Sequence, residues 1–367
     1  MKVLQTIKYY DPCKGGMEAV AKTLVEGAIL LDKNISFAVY CNNHLQGIKS
    51  HHEKVSERLN IIRQSTPFFI KSQPLNFHYG DLKKLISENE IIHHHYPFPT
   101  MEMALLRNIT LLKKKKFIIT WHANIQNSRW SWIEKIYNPI VDKLLSVADH
   151  IVVTSPQLFE QSAILKKHKD KVQVIPLTFD SKFITKEAKT LKKTVNRILF
   201  VGKLREYKGL KYLIKAMKGV EAQLDIVGNG EEEKELKKMT EILGLTNKIN
   251  FHTNVSDENL QLFYRNADLF VLPSINEAEA FGVVQLEALS SGVPVINTQL
   301  NSGVPYVSLH KETGVTVPPS NEKALANAII SLLNNPDLYH TYSKNAIQRA
   351  KEFSLDKMVS RYLKIYK

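Results

Sequence analysis

Short apolar runs alternate with stretches of helical periodicity along the whole chain. Apolar runs of about four to eight residues, each followed by a helical pattern, predict parallel strands covered by helices. In the first half, the pattern predicts strands at 3–7, 36–40, 59–62, 91–93, 117–121, 150–153 and 172–175, and helices at 17–31, 79–88, 100–112, 132–148 and 156–168.

Residues 177–196 lose this periodicity and are rich in lysine, so they are predicted to form a linker. The alternation then restarts, which predicts a second unit of the same kind. Its predicted strands are 197–201, 223–227, 248–251, 269–272 and 293–297, with helices beginning at 210, 231, 257, about 281 and 322. The predicted fold class is therefore α/β, with two Rossmann-like domains that face each other across a cleft.

Two further helices, 337–351 and 355–366, follow the last predicted strand. Because no strand remains for them to serve, we expect them to pack across the domain junction. The predicted domains are residues 1–178 and residues 179–352, and residues 353–367 are expected to pack back on the first domain.

The composition is typical of a globular protein, since 44% of the 367 residues are apolar and 23% are charged. Cys13 and Cys41 cannot form a disulfide framework, which favours a reducing compartment. No apolar run reaches the roughly 20 residues of a membrane helix. The N-terminus is too short in its apolar part for a signal peptide. We therefore expect a cytoplasmic location.

The net charge of +14 is uneven. Residues 1–179 contain 24 Lys and Arg against 15 Asp and Glu, which gives +9; the remainder, 26 against 21, gives +5. Such an excess suits an anionic partner, such as a phospholipid surface or a phosphorylated substrate. Lysine-rich faces in contact with water explain it equally well. No nucleic-acid-binding motif accompanies the charge, so no nucleic-acid partner is expected.

Ligands of open parallel sheets bind beyond the carboxyl ends of the strands. The first such loop leads to Gly15 and Gly16, which open a helix. A glycine pair allows a ligand to approach the backbone and offers free amides to an anion. A tight turn without a ligand is an equally good interpretation. The loop lacks the G-x-G-x-x-G spacing, which disfavours NAD binding.

Histidines stand at the ends of two predicted strands. His93, His94 and His95 are consecutive, and neighbouring strand residues point to opposite faces, so the three cannot converge on one metal ion. We expect His93 to be a hydrogen-bonded core residue. His95 and His122 each lie next to a loop at the expected cleft and are candidates for ligand contact.

The second half has two glycine-containing loops after strands. Lys203 and Lys208 lie in a loop bounded by glycines that leads into a helix, an arrangement that suits a diphosphate. Surface lysines in contact with water are the alternative. Gly228 lies in the other loop and would allow close approach of the backbone.

Glu279 and Glu287 bracket the predicted start of a helix near Phe281. The first amides of that helix would lie at the level of a phosphate. At about 1.5 Å per residue, Glu287 would lie roughly 9 Å further along, about the distance from the sugar to the ribose of an extended nucleotide-sugar. In isolation, two such glutamates would be an N-terminal charge and a surface residue.

The run EAFGVVQLEALSSGVPV resembles the signature of retaining glycosyltransferase family 4, whose fold is GT-B. The resemblance extends over nearly the whole chain, because the glycine pair, the histidine loops and GKLREYKG also match. It implies roles for the following residues: Lys203 and Lys208 bind the diphosphate, Glu279 the donor sugar and Glu287 the ribose, Phe281, Gly282 and Val283 present backbone amides, and His122 lies near the sugar.

Two residues depart from the family pattern. Lys203 stands where arginine is more common, so a bidentate phosphate contact is lost while the charge remains. Ala280 stands where glycine is common. The chain contains no Asp-x-Asp, so the metal ion used by many other glycosyltransferases has no obvious ligands. We therefore expect no metal and no other cofactor.

The segments NEAEAFG and NTQLNSGVPYVS are similar to mannosyl- and rhamnosyltransferases that build bacterial surface polysaccharides. The resemblance implies retaining transfer of a hexose from a GDP- or UDP-sugar to a lipid-linked oligosaccharide of O-antigen, capsule or lipopolysaccharide. It assigns catalysis to Glu279, His122 and Lys208, donor binding to the second domain, and acceptor binding to the first, with Gly15, Gly16 and His95. The basic first domain is further expected to contact anionic phospholipid at the inner leaflet.

Two other functions are consistent with parts of the pattern. A nucleotide-sugar epimerase could share the two-domain fold and bind the same donor. A non-enzymatic protein that binds anionic surfaces would explain the charge but not the EAFG segment.

Overall fold

The computed structural model describes residues 1–13, 15–45, 47–70, 73–76, 78–124, 134–191 and 195–367. It divides into two compact units. Met1–Leu177 and Leu355–Lys367 form the first unit, and Thr178–Ser354 form the second. Each unit contains a sheet with helices, so the predicted α/β class with parallel sheets in two domains is confirmed.

The first unit is built on an eight-stranded sheet. Its strands, with a separate hairpin of β5 and β6, are β1 Lys2–Thr6, β2 Ser36–Asn42, β3 His51–Ser56, β4 Leu59–Gln64, β5 Phe68–Ile70, β6 Gln73–Leu75, β7 Ile91–Tyr96, β8 Lys116–Trp121, β9 His150–Val153 and β10 Val172–Val174. The order across the sheet is β10-β9-β8-β7-β1-β2-β4-β3. Only β3 is antiparallel to its neighbour in this sheet.

Helices cover both faces of this sheet. Those that precede the second unit are α1 Gly16–Leu31, α2 Leu82–Glu88, α3 Pro99–Arg107, α4 Ile109–Leu112, α5 Glu134–Val147, α6 Pro156–Glu160 and α7 Ala163–Lys166. Buried apolar residues form one cluster on each face of the sheet. The central strands are buried on both faces, which explains why they read as continuous apolar runs.

The second unit is built on a six-stranded parallel sheet. Its strands are β11 Arg197–Val201, β12 Gln223–Val227, β13 Ile249–His252, β14 Leu269–Leu272, β15 Val295–Thr298 and β16 Gly314–Val317. Its helices are α8 Leu210–Ala216, α9 Glu233–Ile242, α10 Asp257–Asn266, α11 Val284–Ser290, α12 Val304–Val307, α13 Glu322–Leu333 and α14 Pro336–Ala350. The sheet order β13-β12-β11-β14-β15-β16 is the 3-2-1-4-5-6 order of the Rossmann fold.

The last helix, α15 Leu355–Tyr366, belongs to the first unit, whereas α14 belongs to the second. Helix α15 packs against α1 at Gly27, where an added Cβ would lie 2.7 Å from a methyl carbon of Val359. A larger residue at this point would separate the two helices. The chain therefore returns to the first unit through a close helix contact.

The structure differs from the predicted elements in several places. Strand β3 was missed because all of its residues are exposed and its sequence, HHEKVS, has no apolar face. The predicted helix 100–112 is divided into α3 and α4, and the predicted helix 156–168 into α6 and α7. The predicted helix 132–148 is observed as Glu134–Val147, and its first two predicted residues lie outside the described part.

Among the described residues, no helix is long and apolar enough to cross a membrane. Cys13 and Cys41 form no disulfide, and Cys41 is buried.

Candidate active site

The sheet of the second unit has its topological switch point at β11, which lies between β12 and β14. The loops that leave the carboxyl ends of β11 and β14 run to opposite sides at such a point and leave a crevice between them. The first loop contains Lys203 and Lys208, and the second contains Glu279. The topology therefore brings together charges that lie about seventy residues apart in the sequence.

Glycines allow the loop after β11 to approach the loops after β12 and β14 closely. Gly228 has φ +144°, and a Cβ on it would collide with the carbonyl oxygen of Gly202. Gly209 has φ +67°, and a Cβ there would collide with the carbonyl oxygen of Pro273. Side chains are excluded from both positions because of the space and because of the backbone conformation.

Lys208 and Glu279 form an ion pair at the switch point, in which Lys208 Nζ donates to Glu279 Oε2. Ser274 Oγ donates to the same carboxylate oxygen at 3.2 Å. Both members of the pair are buried. Burial lowers the pKa of Lys208, but the adjacent Glu279 carboxylate more than reverses this effect, so the pKa is raised and the ammonium is retained.

The other candidate residues of this region do not all contact the Lys208–Glu279 pair. Lys203 is exposed in the same loop. Helix α11 begins at Val284, so the predicted helix start near Phe281 is wrong. The reason is Gly282, whose φ of +74° interrupts the helical backbone. Phe281, Gly282 and Val283 form the turn that precedes the helix.

Glu287 lies in the first turn of α11, and its Oε2 accepts a hydrogen bond of 2.6 Å from the hydroxyl of Tyr264. Burial raises the pKa of Glu287 to about 7, and the Tyr264 hydrogen bond lowers it less. Because the helix starts at Val284, the distance argument that counted a helical rise from Phe281 does not apply. Glu287 is nevertheless a carboxyl close to the switch point, held by a tyrosine from α10.

The histidines of the first unit lie on adjacent strands at the carboxyl edge of its sheet. His95 Nδ1 and His122 Nε2 are 2.9 Å apart, and the two rings are stacked. His93 is hydrogen-bonded to Tyr366 and Thr120, each at 2.7 Å, as expected for a core residue. His94 points to the opposite face, where it contacts Thr6 and Glu102. The strand alternation that argued against a triple-histidine metal site is confirmed.

Burial keeps His93, His95 and His122 neutral. It lowers the pKa of His93 and of His122 to about 3, and it lowers the pKa of His95 well below the usual value. His95 Nε2 is buried without a partner among the described residues. A buried N–H without an acceptor is rarer than a lone pair without a donor. We therefore infer that His95 carries its proton on Nδ1 and donates a hydrogen bond from it to His122 Nε2, so that His122 carries its own proton on Nδ1.

Gly15 and Gly16 lie at the start of α1, as predicted. The Glu18 carboxylate lies close over Gly15. A Cβ added to Gly15 would collide with one of its oxygens. An acidic side chain at a helix N-terminus is favourable there. An anionic ligand at this glycine pair would therefore have to displace Glu18.

Several residues of these sites were missed from the sequence. Tyr264, Tyr362 and Tyr366 reach Glu287, Thr120 and His93 from distant elements. Ser274 lies in the same loop as its partner Glu279, but it stands in no recognisable motif. No group of three or more potential metal-ligating side chains occurs within the described part of the chain.

Two family models together match most of the chain. Residues 14–183 match glycosyltransferase family 4, and residues 181–349 match glycosyl transferases group 1. The chain belongs to the GT-B glycosyltransferases. The predicted family is thereby confirmed.

This glycosyltransferase is similar to proteins of comparable length. It is 28% identical to O-antigen chain mannosyltransferase C of Escherichia coli, over 100% of this chain and 98% of the relative. It is 29% identical to the D-rhamnosyltransferase WbpZ of Pseudomonas aeruginosa, over 96% and 92%. Sucrose-phosphate synthase of Thermosynechococcus elongatus has the same fold, with a TM-score of 0.80 over 100% and 98% of the two chains at 21% identity.

We predict that the stability of the second unit depends on the protonation of Glu287. The pKa of this carboxyl is about 7 in the folded protein, against an ordinary value of 4.5 for glutamate, so only the folded form holds the proton between these values. Stability contributed by that proton is complete below about pH 4.5 and is lost as the pH rises through 7. In urea titrations at pH 5–8, Glu287→Gln should flatten this decline.

The control for that experiment is Glu241→Gln, which removes a charge from an exposed position on α9. If the urea midpoints of Glu287→Gln and of the wild type fall in parallel between pH 5 and 7.5, the prediction that Glu287 is protonated in the folded protein is contradicted.

We predict from the buried, unpartnered His95 Nε2 that His95 and His122 of this glycosyltransferase are both protonated on Nδ1. Two-bond ¹H–¹⁵N correlation spectra of ¹⁵N-histidine-labelled protein at pH 7 distinguish the two tautomers. His95→Asn and His122→Asn variants assign the signals. A proton on His122 Nε2 would reverse the inferred direction of the hydrogen bond.

Proposed function

We propose that the chain transfers a hexose, with retention of anomeric configuration, from a nucleoside-diphosphate sugar to a growing bacterial surface glycan. The observation that carries this proposal is the Lys208–Glu279 pair at the switch point of the second unit, with Glu287 in the first turn of the next helix. A diphosphate needs a cation, and sugar and ribose hydroxyls need acceptors. The second unit offers both within one crevice.

The proposed roles follow from the chemistry of each group. Lys208, assisted by the exposed Lys203, binds the diphosphate, and Glu279 accepts hydrogen bonds from hydroxyls of the donor sugar. Glu287 accepts from the ribose diol. The backbone amides of Phe281, Gly282 and Val283 are proposed to contact phosphate oxygens or the sugar, and Gly228 leaves room for the nucleotide.

The proposed reaction is a substitution on one face of the sugar. The bond from C1 to the diphosphate oxygen breaks, and a bond from C1 to the acceptor oxygen forms on the same face. The acceptor proton passes to the departing diphosphate, whose charge Lys208 stabilises as it develops. Glu279 acts by position and charge. His122, with its Nδ1–H available, donates a hydrogen bond to the donor sugar.

The first unit is proposed to bind the acceptor, with Gly15, Gly16 and His95 near its reacting end. The positive charge of residues 1–179 supports an acceptor that carries lipid-linked phosphate, met at the inner face of the plasma membrane. The names of the two relatives support mannose or a related sugar and an O-antigen or lipopolysaccharide product. We propose either GDP or UDP as the nucleotide.

We predict that the two members of the ion pair affect different steps, nucleotide binding for Lys208 and transfer for Glu279. Lys208→Gln should weaken nucleoside-diphosphate binding, because the cation is lost. Glu279→Gln should lower kcat/KM for transfer by about 100-fold or more, comparable to the loss of one preorganised polar group, and should largely preserve nucleoside-diphosphate binding. Thermal-shift titration with GDP, UDP and their sugars measures binding, and mass spectrometry of the product measures transfer.

The matched control is Lys215→Gln, which removes an exposed lysine from α8. Because each single variant leaves a buried charge without its partner, at a cost of about 3–5 kcal/mol, the double variant Lys208→Gln/Glu279→Gln separates folding from function. It should fold better than either single variant and still fail to transfer. Transfer within a few-fold of wild type in Glu279→Gln would contradict the proposal.

We also predict full activity in excess chelator, because lysines and backbone amides are proposed to stabilise the leaving diphosphate. Transfer is measured in EDTA and then with added Mg²⁺ or Mn²⁺. A strict requirement for the added ion would contradict the metal-free mechanism. Product formation from nucleotide-sugar alone, without acceptor, would indicate an epimerase instead.

A further inference from the structure

A second cavity lies in the first unit, away from the histidine pair. It has a volume of about 360 Å³ and lies between α1, the loop after β1 and the β3–β4 hairpin. Strands β2, β4 and β3 lie on one side of β1, and β7 with His95 lies on the other. The cavity is within the range of about 300–1,000 Å³ that small-molecule sites occupy.

The charged groups that line this cavity are already paired with one another. Lys22 Nζ lies 2.9 Å from Asp11 Oδ1 and 3.9 Å from Glu26. Arg63 is buried and lies 3.4 Å from Glu53, and it donates to the backbone oxygen of Asp11. An anion or a cation would have to compete with these pairs. A neutral ligand whose neighbouring groups both donate and accept can bond to the two members of a pair at once.

One lining residue carries a buried polar atom that has no partner among the described residues. Tyr10 lines the cavity and is 2% exposed, and its hydroxyl makes no hydrogen bond to any described residue. Burial raises the pKa of Tyr10, so the phenol stays protonated and can donate as well as accept. Buried polar atoms usually have partners. A ligand hydroxyl would supply this one after a small rotation of the Tyr10 side chain toward the cavity.

The remaining lining combines the polar side chains of Asn43, His44 and His51 with apolar side chains. Leu59 and Ile61 are buried, whereas Ile48 and Val55 are 38% and 51% exposed. Apolar walls with a few convergent polar groups are typical of ligand sites. A sugar ring presents this combination of surfaces, because its C–H face is apolar and its edge carries neighbouring hydroxyls.

We propose that this cavity is a glycan subsite, which binds a neutral sugar unit of the acceptor that lies before the unit that receives the new hexose. The inference rests on the proposed function, since it takes the acceptor to be a glycan. It adds a second point of attachment that makes the enzyme recognise the length of the growing chain. Asp11 links the subsite to the loop that leads to Gly15.

The test uses Tyr10→Phe and a series of lipid-phosphate-linked acceptors with one to four neutral sugar units. Removal of an unpartnered buried hydroxyl should leave thermal stability unchanged or raised. The KM for the long acceptors should rise about three- to tenfold, the value of one hydrogen bond. The KM for the shortest acceptor and for the donor should not change.

Two further variants sharpen the test. Tyr40→Phe is the matched control, because Tyr40 is buried in the same unit and does not line the cavity. Val55→Trp alters an exposed position of β3 and should fold while it narrows the cavity, so it should raise the KM for long acceptors only. Free neutral manno-oligosaccharides, titrated by calorimetry in the absence of donor, should bind the wild type and bind Tyr10→Phe more weakly.

The outcomes separate this inference from the proposed function. If the wild type transfers no sugar to any acceptor, the proposed function fails. If it transfers sugar but KM does not depend on acceptor length, or if Tyr10→Phe and Tyr40→Phe behave alike, the subsite is overturned. Binding of inorganic phosphate that Tyr10→Phe weakens would show an anion site and would also overturn it.

Discussion

The buried contact between Lys208 and Glu279 constrains the second unit more than any other interaction. Two charges removed from water are costly unless each is closely paired and hydrogen-bonded. That requirement places Ser274 on the same carboxylate and brings the loops after β11 and β14 within contact distance. Gly209 is needed because a side chain there would hold the loops after β11 and β14 apart, and Gly228 because a side chain there would hold the loop after β12 away from Gly202. The charged groups proposed to bind the diphosphate and the sugar are therefore held together by the fold itself.

The two units share a reversal of strand order in their sheets, but the candidate residues at that point differ in charge. In each sheet the order of the strands reverses at a central strand, which is β1 in the first unit and β11 in the second. Candidate residues lie at the carboxyl ends of the strands around it. In the second unit the groups are a charged lysine and carboxylates. In the first they are His95 and His122, which burial keeps neutral. This difference matches the chemistry of a charged donor and of an acceptor whose reacting group is a hydroxyl.

The sequence predicted the strands well because most of them are buried on both faces and read as apolar runs. It failed at β3, which is wholly exposed, and at the start of α11, where the positive φ of Gly282 delays the helix by three residues. The motif residues Lys208 and Glu279 were found from local spacing. Tyr264 and Tyr366 were not, because each acts on a partner brought close by the fold rather than by the sequence.

Several of the buried polar atoms without partners in the described part of the first unit lie near the carboxyl edge of its sheet. Asn42, Gln64 and His95 lie at or next to the last residue of their strands, Thr154 directly follows β9, and Tyr10 lies in the loop after β1. Interiors rarely tolerate such atoms, because each costs about 1–3 kcal/mol of desolvation. Their concentration along the carboxyl edge of one sheet suits a ligand rich in hydroxyl groups, which supplies both donors and acceptors. If the proposed acceptor binds there, the hydrogen bonds that it makes with these atoms contribute to its affinity.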